Sequence, residues 1–219
     1  METNTVENYV KAIYQISAAD HAPLASTGDV ARRLGVTPGS VTAMLQRLDD
    51  AGLASYQAHR GVRLTDEGEQ LALRVLRRHR LIELFLARTL SMAWDEIHEE
   101  AERIEHAASD RLVDRIDKFL DFPECDPHGD PIPNADGTLR SERGEPLAEC
   151  QRQTRFVLKR VLDQSPEFLR FLSHGGFGVG DTAVVVENHP SAGALTIEVG
   201  GQQLSLSRDH AEKLLVRRL

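Results

Sequence analysis

The chain has 219 residues, of which 41% are hydrophobic and 27% charged, a balance typical of folded globular proteins rather than disordered ones. The length predicts two or three small domains. The start of the chain lacks the basic and apolar regions of a signal peptide, and no apolar run is long enough to span a membrane. The only cysteines, Cys125 and Cys150, exclude a disulfide framework, so we expect a cytoplasmic protein without a membrane partner.

Charge is unevenly distributed along the chain. The net charge of −8 by itself argues against nucleic acid as a partner, because phosphate binding draws on Lys and Arg. Residues 1–80, however, contain ten basic and nine acidic residues, whereas residues 81–219 contain sixteen and twenty-five. The acidic excess lies outside the N-terminal part, which therefore remains compatible with DNA binding.

The N-terminal part has the pattern of a helix-turn-helix. Apolar residues at helical spacing predict a first helix over residues 6–17. A short second helix is predicted to end at Gly35, and a third begins after the cap residue Thr37, with a proline in its first turn. The outer face of the third helix is small, polar and basic, which suits close entry into the major groove of DNA.

An alternating apolar and polar stretch after Gly52 predicts a β-hairpin with Arg60 and Gly61 at its tip. With the preceding helices, this hairpin makes a winged helix-turn-helix, which we assign to residues 1–72. The alternative is a small helical bundle with an incidental hairpin. We expect bases of double-stranded DNA to be contacted by Ser40, Thr42 and Ala43, and phosphates by Thr37, Arg47 and Arg60.

The pattern is helical again from residue 65 to about residue 120. It predicts a long helix that ends near residue 91, a second helix over about 94–108 and a third over about 110–120. So much apolar surface on few helices, beside a DNA-binding unit, favours a homodimer that reads the paired half-sites of a palindromic operator. We assign residues 73–140 to this helical domain.

The C-terminal part differs in kind. Residues 122–150 contain five of the nine prolines and predict a loop, and residues 141–153 are assigned as a linker. Over residues 154–219, short β-type stretches alternate with Gly-rich turns, which predicts a small five-stranded barrel with one short helix between strands. The predicted fold class is therefore mainly α with a C-terminal all-β domain.

Two of the predicted helices carry carboxylate and imidazole side chains at helical spacing. These residues are His79 and Glu83 on the long helix and His98, Glu102, Glu105 and His106 on the next. Carboxylates this close repel one another unless a cation neutralises them, so the cluster predicts a metal site. Oxygen and imidazole ligands without thiolate suit Mn²⁺ or Fe²⁺, although Zn²⁺, Co²⁺ or Ni²⁺ would bind at least as tightly. The alternative is a solvated Glu-rich helix face with incidental histidines.

Five motifs carry a resemblance to one known family. They are ENYVKAIY (7–14), VTPGSVTAMLQRLDDAGL (36–53), RHRLIELFL (78–86), HEEAERIEH (98–106) and DPHGDPIP (126–133). The chain resembles the diphtheria toxin repressor family of metal-dependent transcriptional regulators, and especially its manganese-responsive branch. The resemblance covers the whole chain and implies a winged helix, a helical dimerisation domain and a Src-homology-3-like domain, also related to a small ferrous-iron-transport protein. It implies a metal-activated repressor of manganese or iron uptake genes, with Mn²⁺ as favoured co-effector and Fe²⁺ as the alternative.

The resemblance implies two metal sites in each subunit, the first of which combines Glu102, Glu105 and His106 with Asn8 of the first helix. The iron-responsive branch usually has cysteine where this chain has Glu102, and the harder carboxylate favours manganese. Manganese regulators tend to have Asp at the position of Asn8. The neutral amide removes one negative charge and should weaken the site. A further carboxylate of some members is replaced by Lys11, which cannot bind a metal while protonated.

The second implied site differs between branches of the family. In iron-responsive members it uses the positions of His79, Glu83 and His98. In some manganese-responsive members it uses the positions of Glu83, Asp126, His128 and Asp163. Asp126 replaces a cysteine of that pattern, which again hardens the ligand set.

Two other classes of function remain open from the sequence. A metal-dependent hydrolase could use the same ligands, although no nucleophile motif or further general base is evident, and we therefore predict that the protein is not an enzyme. A winged-helix regulator that senses a small organic ligand would keep the histidines as packing residues, and its DNA binding would not respond to a chelator.

Overall fold

The structure, a computed structural model, describes residues 3–20, 24–139 and 144–219. The chain divides into two compact units. The first comprises Met1–His79 with Pro133–Thr138, and the second comprises Arg80–Ile132 with Leu139–Leu219. The predicted helical domain is therefore shared between the units, and its larger part belongs to the same unit as the C-terminal sheet.

The first unit is a winged helix-turn-helix, as predicted. Its elements are α1 (Thr3–Asp20), α2 (Thr27–Leu34), α3 (Pro38–Asp50), β1 (Ala54–Gln57), β2 (Gly61–Leu64) and the first part of α4 (Asp66–Leu90). Ser26 and Thr37 cap α2 and α3 by accepting hydrogen bonds from the backbone N–H groups of Asp29 and Ser40. The fully buried core side chains come from all three helices and the wing: Val10, Ile13, Val30, Val41, Leu45, Leu48 and Val62.

The wing is attached to the helices by backbone hydrogen bonds. Strands β1 and β2 form an antiparallel hairpin in which Gln57 pairs with Gly61. The N–H and C=O groups of Ala25 both pair with Val62, at 2.8 and 2.9 Å. Gly61 has a φ of 129°, and a Cβ there would lie 2.6 Å from the carbonyl oxygen of Ala25. The hairpin is therefore part of the winged-helix fold of the first unit, and the alternative of an incidental hairpin is not supported.

The helical part of the second unit is built from the end of α4, α5 (Ile97–Ile104) and α6 (Asp110–Phe119). The predicted helix over 94–108 is shorter in the structure, and Glu105 and His106 lie in the turn after α5. Ser109 accepts a hydrogen bond from the N–H of Leu112 and caps α6, so the chain changes direction before it. No helix in the described residues has both the length and the apolar character to cross a membrane.

The C-terminal part, which we call the sheet domain, is a six-stranded antiparallel sheet in the order β3-β8-β4-β5-β6-β7. Its elements are β3 (Glu145–Pro146), β4 (Arg155–Val161), α7 (Pro166–His174), β5 (Thr182–His189), β6 (Ala194–Val199), β7 (Gln202–Ser207), α8 (Arg208–Glu212) and β8 (Leu214–Arg218). The short helix between strands is confirmed as α7.

The sixth strand comes from the segment predicted as a linker. Glu145 and Pro146 pair with β8, and the Leu147 and Cys150 side chains that follow are fully buried in the core of the sheet. The prolines and glycines around this segment indicated a loop, so its few apolar residues were not recognised as part of a strand. The sheet domain therefore begins before residue 154.

The start of α4 leaves no room for a side chain at Gly68. A Cβ there would overlap the backbone carbonyl oxygen of Leu53, whereas a Cβ at Gly28 would meet only the Oγ of Ser26, at an ordinary 3.7 Å. We expect Gly68→Ala to lower the free energy of unfolding by about 2 kcal/mol, because the backbone of α4 or of the turn must shift. Gly28→Ala should raise it by about 0.5 kcal/mol, since Ala is the better helix former. Urea denaturation followed by circular dichroism tests both, and equal midpoints for the two variants would contradict the packing described.

Candidate metal centre

A buried group of two carboxylates and one imidazole lies in the second unit. Glu83 projects from α4, and Asp126 and His128 come from the loop after α6. Each offers a ligand-type atom within 4.8 Å of the others. Their exposed fractions are 2%, 4% and 1%, so water does not screen the carboxylates. Two acids buried side by side need a compensating positive charge or must take up a proton. We call these three residues the buried triad.

The tautomer of His128 leaves one ring nitrogen available to the triad. Its Nε2 lies 3.0 Å from the carbonyl oxygen of Trp94, which can only accept, so Nε2 carries the proton. The Trp94 ring stacks on the imidazole with centroids 5.9 Å apart. The Nδ1 atom is buried and has no hydrogen-bond partner among the described residues. An oriented imidazole lone pair beside two carboxylates is the donor that a divalent metal ion uses, so these residues fit a metal.

The carboxylate of Asp126 is fixed by its own loop. Its Oδ1 accepts hydrogen bonds from the backbone N–H of His128 at 2.8 Å and of Asp130 at 2.9 Å. Its Oδ2 lies 3.7 Å from Nε of Arg80. Burial raises the pKa of Asp126 well above its ordinary value, the charges of Asp130 and Glu83 add to the rise, and Arg80 opposes it. A cation at the triad would favour the ionised form.

Two further histidines of the second unit, His98 and His106, also lie near carboxylates. His98 Nδ1 lies 3.2 Å from Oε1 of Glu83, and its Nε2 lies 3.8 Å from Oε1 of Glu102. His106 Nε2 lies 3.4 Å from Oε1 of Glu105, which is completely buried. A solvated helix face does not bury a glutamate, so that alternative is not supported at Glu83 and Glu105.

Asn8, the remaining predicted ligand of the first site, and His79, predicted for the second site, belong to the first unit. Asn8 is half-buried on α1, and Lys11 on the next turn is buried. Glu7, which sequence reasoning did not single out, is buried with its Oε2 3.5 Å from Nη1 of Arg78. His79 is buried on α4, one turn before Glu83. Within the first unit, the Glu7–Arg78 ion pair therefore connects α1 to α4.

Asp163, predicted as a ligand of the second site, is used elsewhere in the structure. Its Oδ2 lies 2.8 Å from Nζ of Lys213, and its Oδ1 accepts a hydrogen bond from the N–H of Ser165. Burial alone would raise the pKa of Asp163, but the hydrogen bonds from Lys213 and Ser165 outweigh it and lower the pKa to about 2. Among the described residues, the metal-type group around Glu83 does not include Asp163.

Sequence reasoning missed the charged residues around the triad. Asp130 lies in the same motif as Asp126 and His128, and it pairs with Arg160 and accepts a hydrogen bond from Gln164 Nε2 at 3.1 Å. Arg80 is buried and donates to the carbonyl oxygen of Pro131. Proximity of Asp130 to two predicted ligands was the available signal, whereas Arg160 and Gln164 lie too far along the chain for spacing to reveal them.

The predicted DNA-binding residues lie on α3, at its cap and on the wing. Thr37, Ser40, Ala43, Arg47 and Arg60 are exposed, and Thr42 is half-exposed with its hydroxyl donating to the carbonyl oxygen of Pro38. A cleft of about 450 Å³ separates α3 from the wing. It is lined by Ser26, Thr27, Thr42, Gln46, Tyr56, Ala58, His59, Arg60 and Gly61, of which only Thr42 and Arg60 had been predicted as DNA contacts.

The fold is that of a winged-helix DNA-binding protein, and its described residues include carboxylate and histidine groups that could hold a metal ion. Three family models match the chain. Residues 1–62 match the N-terminal DNA-binding domain of iron-dependent repressors, residues 65–134 match their metal-binding and dimerisation domain, and residues 145–218 match the FeoA domain.

Known relatives extend over most or all of the chain. A solved manganese-dependent transcriptional repressor in complex with manganese is 35% identical, with a TM-score of 0.86, and the match covers 98% of this chain and 100% of that one. The iron-dependent repressor IdeR of Mycobacterium tuberculosis is 28% identical over 99% of this chain and 98% of its own length. The regulator MntR of Lysinibacillus sphaericus is 37% identical over 58% of this chain and 89% of its own length.

The chain therefore belongs to the diphtheria toxin repressor family of metal-dependent transcriptional repressors. It is a DNA-binding regulator and not an enzyme. Its partners are DNA and a second copy of the chain, as its DNA-binding and dimerisation domains indicate.

The ion pair of Asp163 predicts a pH-dependent contribution to stability. The folded-state pKa lies below the ordinary value of 3.8, so the ionised carboxylate stabilises the fold above that pH and the contribution is lost as the pH falls through about 2. We expect Asp163→Asn to unfold at a lower urea concentration than the wild type at neutral pH, with the difference shrinking below pH 3.8. Mn²⁺ affinity should change less than about twofold. A strong loss of Mn²⁺ binding with unchanged stability would instead place Asp163 among the ligands.

Proposed function

We propose that the protein is a Mn²⁺-activated repressor of metal-uptake genes that binds palindromic operators as a homodimer. The observation that carries this proposal is the ligand chemistry: the metal-type groups of the described residues offer carboxylate oxygens and imidazole nitrogens and include no thiolate. Hard oxygen ligands suit Mn²⁺. The manganese-dependent repressor of similar structure supports this choice, and the similarity to IdeR, an iron-dependent repressor, keeps Fe²⁺ as the second candidate.

We assign the ligands to two sites. The first uses Asn8, Glu102, Glu105 and His106, and the second uses the buried triad of Glu83, Asp126 and His128. The unpartnered Nδ1 of His128 supports the second assignment. His79 and His98 are the partners of Glu83 in the iron-type arrangement, which the 3.2 Å contact between His98 and Glu83 supports. Both arrangements share Glu83, so its removal should affect either one.

The proposed first site would draw its ligands from parts of the chain with different tasks. When bound, a divalent cation supplies the positive charge that lets neighbouring carboxylates stay ionised. Asn8 belongs to the winged helix-turn-helix, and Glu102, Glu105 and His106 belong to the helical domain. Ligands drawn from both would fix the separation of the two recognition helices in the dimer. Because metal and DNA favour the same arrangement, each strengthens the binding of the other.

An exposed apolar face on α6 supports dimerisation through the helical domain. Leu112 and Phe119 lie two turns apart and are 48% and 67% exposed, and Phe122 beyond the helix is 64% exposed. Side chains of this size are rarely left in water together. A second copy of the chain, related by symmetry and packed there, would cover these side chains. It would also place two winged helices on one face of the DNA.

The exposed residues of the head support the assigned DNA contacts. We propose that Ser40, Thr42 and Ala43 read bases and that Thr37, Arg47 and Arg60 hold phosphates. Chromosomal DNA as the target implies action in the cytoplasm. The hydrolase and the small-molecule sensor are not favoured, because the relatives that match the whole chain are metal-dependent or iron-dependent repressors.

Metal should control DNA binding through Glu102. We expect Mn²⁺ to tighten binding to operator DNA, selected from random sequences in its presence, by at least about tenfold over chelator, as a coupling of 1–3 kcal/mol predicts. Glu102→Ala should lose most of this response. Glu99→Ala is the matched control, because Glu99 lies on the same helix with its side chain 77% exposed and paired with Arg103.

Fluorescence anisotropy under anaerobic conditions, with Mn²⁺, Fe²⁺ or chelator, measures the response. Equal DNA affinity with metal and with chelator would refute the proposed switch. A stronger response to Fe²⁺ than to Mn²⁺ would favour the iron-responsive alternative.

Asn8→Asp should tighten Mn²⁺ binding, because it restores a negative charge to the first site. A full charge at ligand distance corresponds to about tenfold or more in affinity. Isothermal titration calorimetry on the full chain measures it, with Asn4→Asp on the exposed start of α1 as the control for added charge. Unchanged or weaker binding in Asn8→Asp would exclude Asn8 as a ligand.

A further inference from the structure

The sheet domain lies against the loop that carries two residues of the buried triad. We call Asp126–Asp130 the ligand loop. The carbonyl oxygen of His128 accepts a hydrogen bond from the N–H of Val161 at the end of β4, at 2.8 Å. A Cβ at Gly129 would overlap the carbonyl oxygen of Lys159, so only glycine permits this approach. The loop is therefore held against β4 by its backbone.

Asp130, at the end of the ligand loop, is held by side chains of the sheet domain. Its Oδ1 pairs with Arg160, and its Oδ2 accepts a hydrogen bond from Gln164 at 3.1 Å. On the opposite side, Arg80 Nη2 lies 3.5 Å from the same Oδ2. The Asp130 side chain is only 15% exposed, so these contacts are poorly screened by water.

The position of Asp130 determines the position of Asp126. The N–H of Asp130 donates to Asp126 Oδ1 at 2.9 Å, and the N–H of Asp126 donates to the carbonyl oxygen of Asp130 at 3.0 Å. The N–H of His128 donates to the same Oδ1. The loop is thus a closed ring of hydrogen bonds, and a shift of Asp130 would reorient the triad's carboxylate and imidazole.

We propose that Arg160 and Gln164 are positioning residues for the second metal site. They hold Asp130, and through it Asp126 and His128, without contacting the metal. Docking of the sheet domain and metal binding at the buried triad therefore strengthen each other. This proposal rests on the proposed function, since it assumes that the triad binds the metal. It gives the sheet domain a role in metal affinity without a ligand of its own.

A matched pair of variants separates positioning from general domain docking. Arg170 of α7 also pairs across to the helical part of this unit, with Nη1 3.1 Å from Oδ2 of Asp95, but it does not touch the ligand loop. Mn²⁺ would be titrated into the full chain carrying Glu102→Ala, so that only the second site fills. We expect Arg160→Met to weaken Mn²⁺ binding by about 10- to 100-fold, as lost outer-shell contacts do. Arg170→Met should lose much less affinity than Arg160→Met, since its partner Asp95 reaches the triad only through the neighbouring Trp94.

Two further variants keep the test decisive. Arg160→Lys should recover part of the affinity, since a cation can still pair with Asp130. Gln164→Met removes the neutral partner and should cause a smaller loss, which can be measured even if Arg160→Met does not fold. Hydrogen exchange adds a second readout: Mn²⁺ should slow exchange of the Val161 amide in the Glu102→Ala parent, and less so in Arg160→Met.

The outcomes distinguish this proposal from the function on which it rests. Equal losses of affinity in Arg160→Met and Arg170→Met, or no loss in Arg160→Met and Gln164→Met, would overturn the positioning role alone. Failure of the Glu102→Ala parent to bind Mn²⁺ would overturn the second site as well. Mn²⁺-dependent DNA binding by the wild type would still support the first site in that case.

Discussion

The structure depends on one electrostatic constraint, the burial of Glu83 and Asp126 beside the imidazole of His128. Neither carboxylate is screened by water, and the Nε2–H bond of His128 to Trp94 leaves Nδ1 without a proton. Ion pairs or a cation must compensate such groups. Arg80 provides part of the charge from one side. The remaining acceptor atoms form a ligand set suited to a small divalent ion.

The triad brings together elements that are far apart in the chain. Glu83 lies on α4, whereas the ligand loop follows α6, and β4 of the sheet domain closes over that loop. Because the three side chains come from separate elements, a metal ion bound there would hold these elements together.

Local patterns in the sequence predicted the winged helix, the long helix and α7, because caps, apolar spacing and turn residues act over a few positions. The triad was reached only through the family resemblance, since no spacing rule connects Glu83 to Asp126 and His128. The strand at Glu145, the Asp163–Lys213 pair and the role of Asp130 were missed. The strand and the Asp163–Lys213 pair depend on contacts between residues at least 50 positions apart, for which a single sequence contains no signal. Asp130 lies near two predicted ligands in the sequence, but its partner Arg160 is 30 positions away.

The central claim is that a divalent cation compensates the buried triad. X-ray diffraction at the manganese absorption edge, from crystals of the full chain grown with Mn²⁺, tests it most directly. We expect an anomalous peak that marks a manganese ion within bonding distance of Nδ1 of His128 and of carboxylate oxygens of Glu83 and Asp126. A well-ordered triad with no anomalous peak, and with water or a protein donor on Nδ1, would contradict it.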